Sequence, residues 1–422
     1  MNNMEYFETA YNVLSDIYIR SAYLDAAMSK VDISGAATKI IYGVLEKDVQ
    51  LEYIVSEHVK QKPKASVLVL LKIGVYCLLY MDSLPDYAIV NGIVELAKKL
   101  GKSGVSGFVN AVLKNVAKKD FKFLSDGLEN LSFTSAKPLW FVKRIVDEYG
   151  VDIAQKILNE PPFELEHIRN NPKICSLNQV EKRLESEKTE FFETTVGGLS
   201  VRNCSSVKKM FSDGAITIQS PSSMLIVQIM KPYGEVLDLC AAPGGKSVYA
   251  AQINNSCNVT ACDVNDLKVK QIKSYCKRMM VENLKTEVND ATKLNQNYVG
   301  KFDCVLVDAP CSCFGTFRKH PDVFLRHNES TIKQMAATQK KILSNAVQYL
   351  KNGGTLIYST CTLFKEENFE NVEFILKNSS LNPDEIDENL YKKVPCLKLS
   401  DNALTVLPFK EWDGFFIARF KK

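Results

Sequence analysis

Residues 234–253 read GEVLDLCAAPGGKSVYAAQI, and the order of elements within this stretch decides the fold. The apolar run GEVLDLC has the length of a buried strand. Ala241-Ala242-Pro243-Gly244-Gly245-Lys246 then breaks the run with proline and two glycines, and KSVYAAQI resumes at helical spacing. A strand, a glycine turn and a helix N-terminus in that order bring free backbone N–H groups toward a ligand. Further along, NVTACDV, KTEVND, FDCVLVDAP and GTLIYST read as strands. Between them, LKVKQIKSYCKRMM, TIKQMAATQKKILSNAVQYL and NFENVEFILK read as helices. That alternation makes βαβ units, so residues 207–422 are predicted to form an α/β doubly wound, mostly parallel sheet. TVLPF and DGFFIARF would close it as an antiparallel hairpin at one edge.

Toward the N-terminus the texture changes. Residues 1–125 carry apolar residues every three or four positions, punctuated by Pro63, Pro85, Gly101 and Gly104, which predicts an all-α bundle of six or seven helices. Residues 126–206 mix short helices (PLWFVKRIVDEYG, SLNQVEKRLESE) with strand-like FFETTVGGLSVRN, a small α+β connector. The 422 residues are 46% hydrophobic and 24% charged, ordinary for a soluble globular chain. The most apolar stretch, residues 65–81, is short for a membrane span and contains Lys72, so it reads as a buried helix. The start MNNMEYFETA lacks the apolar core of a signal peptide, and no membrane partner is expected. Twelve cysteines show no zinc-ligand spacing, Cys311-Ser312-Cys313 being too tight, which fits free thiols in a reducing cytoplasm and no metal. Net charge is only +4, yet Lys98, Lys99, Lys102, Lys114, Lys118, Lys119 and Lys122 crowd around one acid, Asp120. Such a run is either a solvated helix face or a surface for RNA.

The glycine turn lacks the G-x-G-x-x-G spacing of a pyrophosphate loop, which disfavours NAD. The next strand ends in Asp263, placed to grip a ribose diol, and the one after ends in Asn289-Asp290-Ala291, placed to meet an adenine edge. Each acid also suits a helix N-cap. Ribose and adenine without pyrophosphate point to S-adenosyl-L-methionine. The fourth strand runs into Asp308-Ala309-Pro310-Cys311 and the fifth into Ser359-Thr360-Cys361, so both deliver a thiol to one rim. Thiolate addition to C6 of cytosine makes C5 nucleophilic enough to take a methyl group, and a base then removes the C5 proton. Asp308 could serve the N3 and N4 edge of the ring. Lys246 and Arg318 are candidate cations to lower a thiol pKa, and the base must leave any helical stack to be reached.

LDLCAAPGGKS, VDAPCSCFGTFRKHPDV and YSTCT resemble the signature blocks of RNA 5-methylcytosine methyltransferases, most closely the bacterial Sun/RsmB type that methylates 16S ribosomal RNA. Residues such as LKIGVYCLLYMDSLPDYAIVNGIVELAKKLG resemble that family's NusB-like helical domain, and EPPFELEHIRNNP its connector with an R-x-N motif. The resemblance implies a Rossmann-like sheet and S-adenosylmethionine held by Cys240, Ala241, Ala242, Pro243, Gly244, Gly245 and Lys246. It makes Asp263 the ribose ligand, Asp290 the adenine-side ligand and Asp308 the acid between cofactor and base. It makes Cys361 the nucleophile and Cys311 the thiol of product release. It implies RNA contacts from Arg169, Asn171, Arg318 and His320, to which the lysine run adds Lys114 and Lys118. Asn171 suits a local cap equally well. The partner would be 16S ribosomal RNA or a pre-ribosomal small subunit. Transfer RNA as substrate, or an RNA-binding module with a vestigial catalytic half, remain alternatives. Two departures stand out: Cys313 replaces the family's usual glycine, and Ser220 follows Gln219 where the family has aspartate.

Overall fold

The computed structural model describes residues 3–118, 126–202, 205–400 and 402–422, so Lys119, Asp120 and Lys122 of the basic run lie outside the described residues. The chain forms two compact units: residues 1–159 with 317–328, and residues 160–316 with 329–422.

The first unit is helical. Among the described residues seven helices precede residue 117: Asn3–Arg20, Leu24–Met28, Gly35–Glu46, Asp48–Glu57, Ala65–Tyr80, Asp86–Lys99 and Ser103–Val116. Ala65–Tyr80 is the central one, buried on nearly every side and packed on its neighbours. Its Lys72 is buried because Asp48 (2.5 Å) and Glu52 (2.9 Å) both receive its ammonium. Among the described residues no helix is long and apolar enough to cross a membrane. Gly43 lets the neighbouring helix approach, since a Cβ there would run into the Tyr76 ring.

The division between compact units falls after Asn159, so the first unit holds the 1–125 helices together with part of the segment read as connector. Helices Gly127–Ser135 and Leu139–Asn159 pack with the first unit: Gln50 donates to the Phe133 carbonyl (2.7 Å) and Tyr53 meets the Phe133 ring edge-on. Leu139–Asn159 breaks at Gly150, whose φ is +76°. Residues 317–328 also join this unit: Phe317 and Phe324 stack edge-on against Phe141, and Asp322 accepts from the Leu24 amide (3.1 Å). Which core these helices join is invisible to local periodicity, because only tertiary burial decides it.

The second unit opens with a four-stranded antiparallel sheet in the order β2-β3-β1-β4, from β1 (Glu166–Asn170), β2 (Phe191–Glu193), β3 (Leu199–Val201) and β4 (Ile216–Ile218). Helix Leu177–Ser186 begins on a capping box between Ser176 and Gln179. The main sheet follows: β5 (Glu235–Asp238), β6 (Asn258–Asp263), β7 (Leu284–Val288), β8 (Phe302–Asp308), β9 (Leu350–Thr360), β10 (Asn382–Pro383), β11 (Cys396–Ser400), β12 (Ala403–Val406) and β13 (Phe415–Lys421). Its order is β11-β12-β13-β9-β8-β5-β6-β7, with β10 beside β13. Strands β7, β6, β5, β8 and β9 run parallel; β13, β12 and β11 are antiparallel. The expected hairpin is present, with β13 inserted against β9 and the unanticipated β11 outside β12.

Both faces are covered, as the near-continuous apolar strands require. Val236, Cys304, Leu306 and Ile357 pack toward helices Pro221–Met230 and Gly245–Ile253. Leu237, Val305, Val307 and Tyr358 pack toward Glu329–Tyr349 and Phe369–Asn378. Chain order reverses at β5, which lies between β6 and β8, and ligands of such sheets bind at the carboxyl edge of that reversal.

Candidate active site

At that edge the β5 strand ends in Asp238, a residue the sequence reading passed over. It is buried, accepts from Ser247 Oγ (2.5 Å) and from the Cys240 amide (3.4 Å), and so ties the strand end to the first turn of helix Gly245–Ile253. Burial, with the charge of Asp308 adding to it against the Ser247 hydrogen bond, pushes its carboxyl up to about 7. Between these anchors runs the glycine turn. Gly244 has φ +113°, a conformation that disfavours any side chain, and a Cβ there would press Tyr275 at 3.2 Å. Burial first, then the surrounding acids Asp238, Asp263 and Asp308, holds the Cys240 thiol well above its ordinary range.

Asp263, at the end of β6, is buried. One carboxylate oxygen accepts from the Ala242 amide (3.0 Å); the other accepts from the Val264 amide (2.7 Å) and sits 3.2 Å from Lys268 Nζ. The acid therefore braces the turn from the neighbouring strand. Asp290, beyond β7, accepts from Thr292 Oγ1 (2.6 Å) and the Thr292 amide (3.1 Å) and lies 3.2 Å from Lys293. The Thr292 hydrogen bond first, then Lys293, holds its carboxyl below the usual range. Beside it the Asn289 amide nitrogen is buried without a hydrogen-bond partner among the described residues. A cavity of about 550 Å³ opens against the turn, lined among others by Ala241–Pro243, Gly245, Lys246, Gln219, Tyr275 and Asp308.

The candidate catalytic residues named from the sequence, Asp308, Cys311 and Cys361, meet where β8 and β9 end. Parallel pairing sets Asp308 opposite Ser359, whose hydroxyl donates to Asp308 (2.8 Å), and Lys246 Nζ lies 2.6 Å from the other oxygen. Cys311 follows three residues later and Cys361 two residues later, and register brings their sulfurs to 3.2 Å. The Cys361 amide donates to Cys311 Sγ (3.3 Å), and the Gly315 amide to the Cys361 carbonyl (2.8 Å). Gly315 cannot carry a side chain here, because a Cβ would collide with the Gly414 carbonyl. Cys313 completes a group of three sulfurs within 4.8 Å of one another. Its φ is +59°, the left-handed region in which glycine is the comfortable occupant.

The surroundings raise both thiols rather than lower them. The hydrogen bond with Cys311 favours the Cys361 thiolate, but Cys313, burial and the charge of Asp308 outweigh it, and the thiol stands well above its ordinary range. Cys311 is raised too, by Cys313 and Cys361 first and by burial after them. This reverses the expected lowering. Lys246 is engaged by Asp308, and Arg318 is a buried residue of the segment that belongs to the first unit.

Behind the thiols stands a second residue the sequence did not reveal. Glu367 is fully buried and accepts from the Ser312 amide (3.0 Å), the Ser312 hydroxyl and Gln339 Nε2 (2.8 Å), linking the Cys311 loop to the segment after Cys361. Burial, against these hydrogen bonds, pushes its carboxyl up to about 7. Glu366 and Glu367 look alike in sequence. Gln339 did carry a signal, as a polar residue within the apolar stripe Ile332, Ala336, Ile342, Leu343.

The residues expected at RNA divide. Lys114 and Lys118 are exposed, the latter donating to Asn115 (3.1 Å), and His320 is half-exposed, 4.0 Å from Asp25. Arg169, Asn171 and Arg318 are buried. Arg169 donates to Gln219 (3.0 Å) and Gln252 and covers the Tyr249 ring. Asn171 holds the carbonyls of Gly214 and Met279 (both 3.0 Å) and accepts from the Lys173 amide (3.2 Å). The side chains of Arg169 and Asn171 serve the interior rather than a surface contact, because each finds its partner on an adjacent element.

A sheet-order reversal at β5, a short glycine turn in place of a pyrophosphate loop, and paired cysteines on the adjoining strand ends fit an α/β Rossmann-like methyltransferase. Residues 227–421 match the 16S rRNA methyltransferase RsmB/F family and residues 6–118 the NusB family. The chain is 33% identical over 411 residues to a probable ribosomal RNA small subunit methyltransferase B of Bacillus subtilis, covering 92% of this chain and 90% of the relative. It is 28% identical to the ribosomal RNA small subunit methyltransferase B of Shewanella oneidensis, over 91% of this chain and 90% of the relative. The crystal structure of PH0851 superposes with a TM-score of 0.86 at 24% identity, covering 100% of this chain and 99% of the other. The chain belongs to the 16S rRNA methyltransferase RsmB/F family, with a NusB-like N-terminal region. Its cofactor is S-adenosylmethionine; the glycine turn, Lys246 and Asp308 line the cavity, while Asp263, whose oxygens take the Ala242 and Val264 amides, and Asn289, whose amide nitrogen has no partner among the described residues, stand at the adjoining strand ends and are not among its lining residues.

Proposed function

We propose that the chain methylates C5 of one cytidine in 16S ribosomal RNA through a transient bond between Cys361 Sγ and C6 of the base. The observation that carries this reading is the 3.2 Å approach of Cys361 and Cys311 beside Asp308 at the cofactor edge. S-adenosylmethionine supplies an electrophilic methyl group on a sulfonium. Cys361 and Cys311 each give their proton to solvent; the Cys361 thiolate adds to C6 and leaves the ring electrons at C5 available for that methyl. Asp308, held by Lys246 and Ser359, meets the N3 and N4 edge of the ring. Cys311, as thiolate, takes the C5 proton; the S–C6 bond then breaks, and its electron pair returns to Cys361. Asp263 and Asp290 hold the ribose and adenine ends of the cofactor, with residues 240–246 cradling it.

The 3.2 Å sulfur pair gives the reaction two thiols with separate tasks, which an inert structural cysteine would not need. Exposed Lys114 and Lys118 and half-exposed His320 contact RNA mainly through phosphate. The setting is the cytoplasm, with the ribosomal RNA or its assembling particle as partner. Methyl transfer from radiolabelled S-adenosylmethionine to purified 16S RNA, with total tRNA in parallel and bisulfite mapping of the product, tests the reading. Label on one 16S cytidine is expected. Label on tRNA alone, or cofactor binding without transfer, contradicts it.

A further inference from the structure

A chain of buried and partly buried side-chain hydrogen bonds ends on an unpartnered donor in the cavity beside the glycine turn. Asn171 Oδ1 accepts from Gln252 Nε2 (3.1 Å), and Gln252 Oε1 accepts from Arg169 Nη1. Arg169 Nε donates to Gln219 Oε1 (3.0 Å). Arginine offers only donors, so the bond from Arg169 fixes which end of the Gln219 amide faces inward. Gln219 Nε2 must then point the other way. It is buried, lines the cavity and has no hydrogen-bond partner among the described residues; Arg169 Nη2 shares that last property but does not line the cavity.

The position of this donor is informative. A Cβ built on Gly245 would lie 3.7 Å from Gln219 Nε2, so the amide sits at the first residue of the nine-residue helix Gly245–Ile253. The opening N–H groups of a helix have no partner within it and carry the positive end of its dipole. A buried, oriented amide donor at the same point is costly unless a ligand acceptor completes it. Gly245 leaves room there that any side chain would narrow.

We propose that Gln219 Nε2 and the N-terminus of helix Gly245–Ile253 form an oxyanion-binding corner, with Arg169, Gln252 and Asn171 as positioning residues behind it. The inference rests on reading residues 240–246 as the cofactor turn. The oxyanion is either the α-carboxylate of the methyl donor or a backbone phosphate of the RNA strand, and one binding experiment separates them. Calorimetry with wild type, Gln219→Glu and Arg169→Lys would use three probes: S-adenosylmethionine, decarboxylated S-adenosylmethionine and a cytidine-containing RNA oligonucleotide. In the Gln219→Glu variant the new carboxylate would still accept from Arg169, so the relay and the fold survive while the cavity loses its donor.

If the carboxylate occupies the corner, Gln219→Glu weakens S-adenosylmethionine about tenfold or more and leaves the decarboxylated form unchanged. Arg169→Lys gives a smaller loss with the same selectivity, because the amide is then free to turn over. If a phosphate occupies it, RNA affinity falls and both donors bind as before. Equal loss for all three probes, or no change in any, overturns the proposal. None of these readouts needs methyl transfer. Wild-type protein that binds but does not methylate refutes the proposed reaction and spares the corner; wild type that binds neither donor refutes the cofactor turn, and the RNA arm still tests the corner.

Discussion

Replacing Glu367 by glutamine isolates the electrostatics behind the thiol pair. In the folded chain the carboxyl titrates near 7, against about 4.5 when exposed on unfolding. Because the folded value is raised, the native state holds the proton more tightly. Its contribution is intact below pH 4.5 and is progressively lost as pH rises through 7. The shift of about 2.5 pK units corresponds to roughly 3 kcal/mol once both states are ionised, as an order of magnitude. Glutamine keeps the network: its oxygen can take the Ser312 amide and Gln339, and its NH2 can donate to Ser312 Oγ, which can turn to Thr362 Oγ1 at 2.9 Å. Glu367→Gln should therefore match wild type near pH 4 and exceed it at pH 8.5, the advantage growing by about 2 kcal/mol between about pH 5.5 and 8.5. For the second unit, roughly 250 residues long, that gain is about 4 °C in the melting temperature. Calorimetric scans of both proteins across this range provide the assay. A variant less stable than wild type by a constant amount at every pH would refute the argument, since it would mean the negative charge itself is needed.

The remaining predictions concern sulfur and the basic helix. Cys361→Ala should yield no methylated RNA, whereas Cys311→Ala should accumulate a covalent protein–RNA complex visible on denaturing gels; the opposite phenotypes would exchange the two roles. Because the Cys361 thiol is raised, its alkylation by iodoacetamide should still be climbing above about pH 9, and a plateau near 7 would contradict the crowded-sulfur account. Cys313→Gly removes a side chain from a left-handed position and one cause of that raised value. Alkylation of Cys361 should move to lower pH, with stability rising by up to about 1 kcal/mol. Lys114→Ala with Lys118→Ala should weaken RNA binding uniformly across sequences and flatten its salt dependence by about two phosphate contacts.

Much of this site was legible because the chemistry sits at strand ends, and strand ends are marked in sequence. GEVLDLC, NVTACDV, FDCVLVDAP and GTLIYST each show where an apolar run stops, which is enough to align Asp263, Asp308, Cys311 and Cys361 on one edge. Side-chain partnership is less visible. The R-x-N pair was read as an RNA contact from the family resemblance, with a local cap equally open for Asn171, and only packing reveals that Gln219 and Gln252 engage Arg169 and that Gln252 donates to Asn171. Glu367 was hidden for a similar reason, because it lies in the acidic stretch Lys365-Glu366-Glu367, where solvent is the ordinary environment. The sign of the thiol shift also depended on distance. Lysine near a thiol predicts activation, but Lys246 lies 2.6 Å from Asp308, so its charge is largely answered before it reaches sulfur. The edge strand β11 was missed because VPCLKLS mixes proline with scattered apolar residues and gives no clean alternation.

Mapping the covalent bond itself tests the central claim most directly. Wild-type protein would be reacted with S-adenosylmethionine and 16S RNA carrying 5-azacytidine, digested with protease and nuclease, and its modified peptides sequenced by mass spectrometry. A methylated azacytidine nucleotide on the peptide containing Cys361, and on no other, is the result this account requires. The same mass on the peptide containing Cys311 and Cys313 would contradict it.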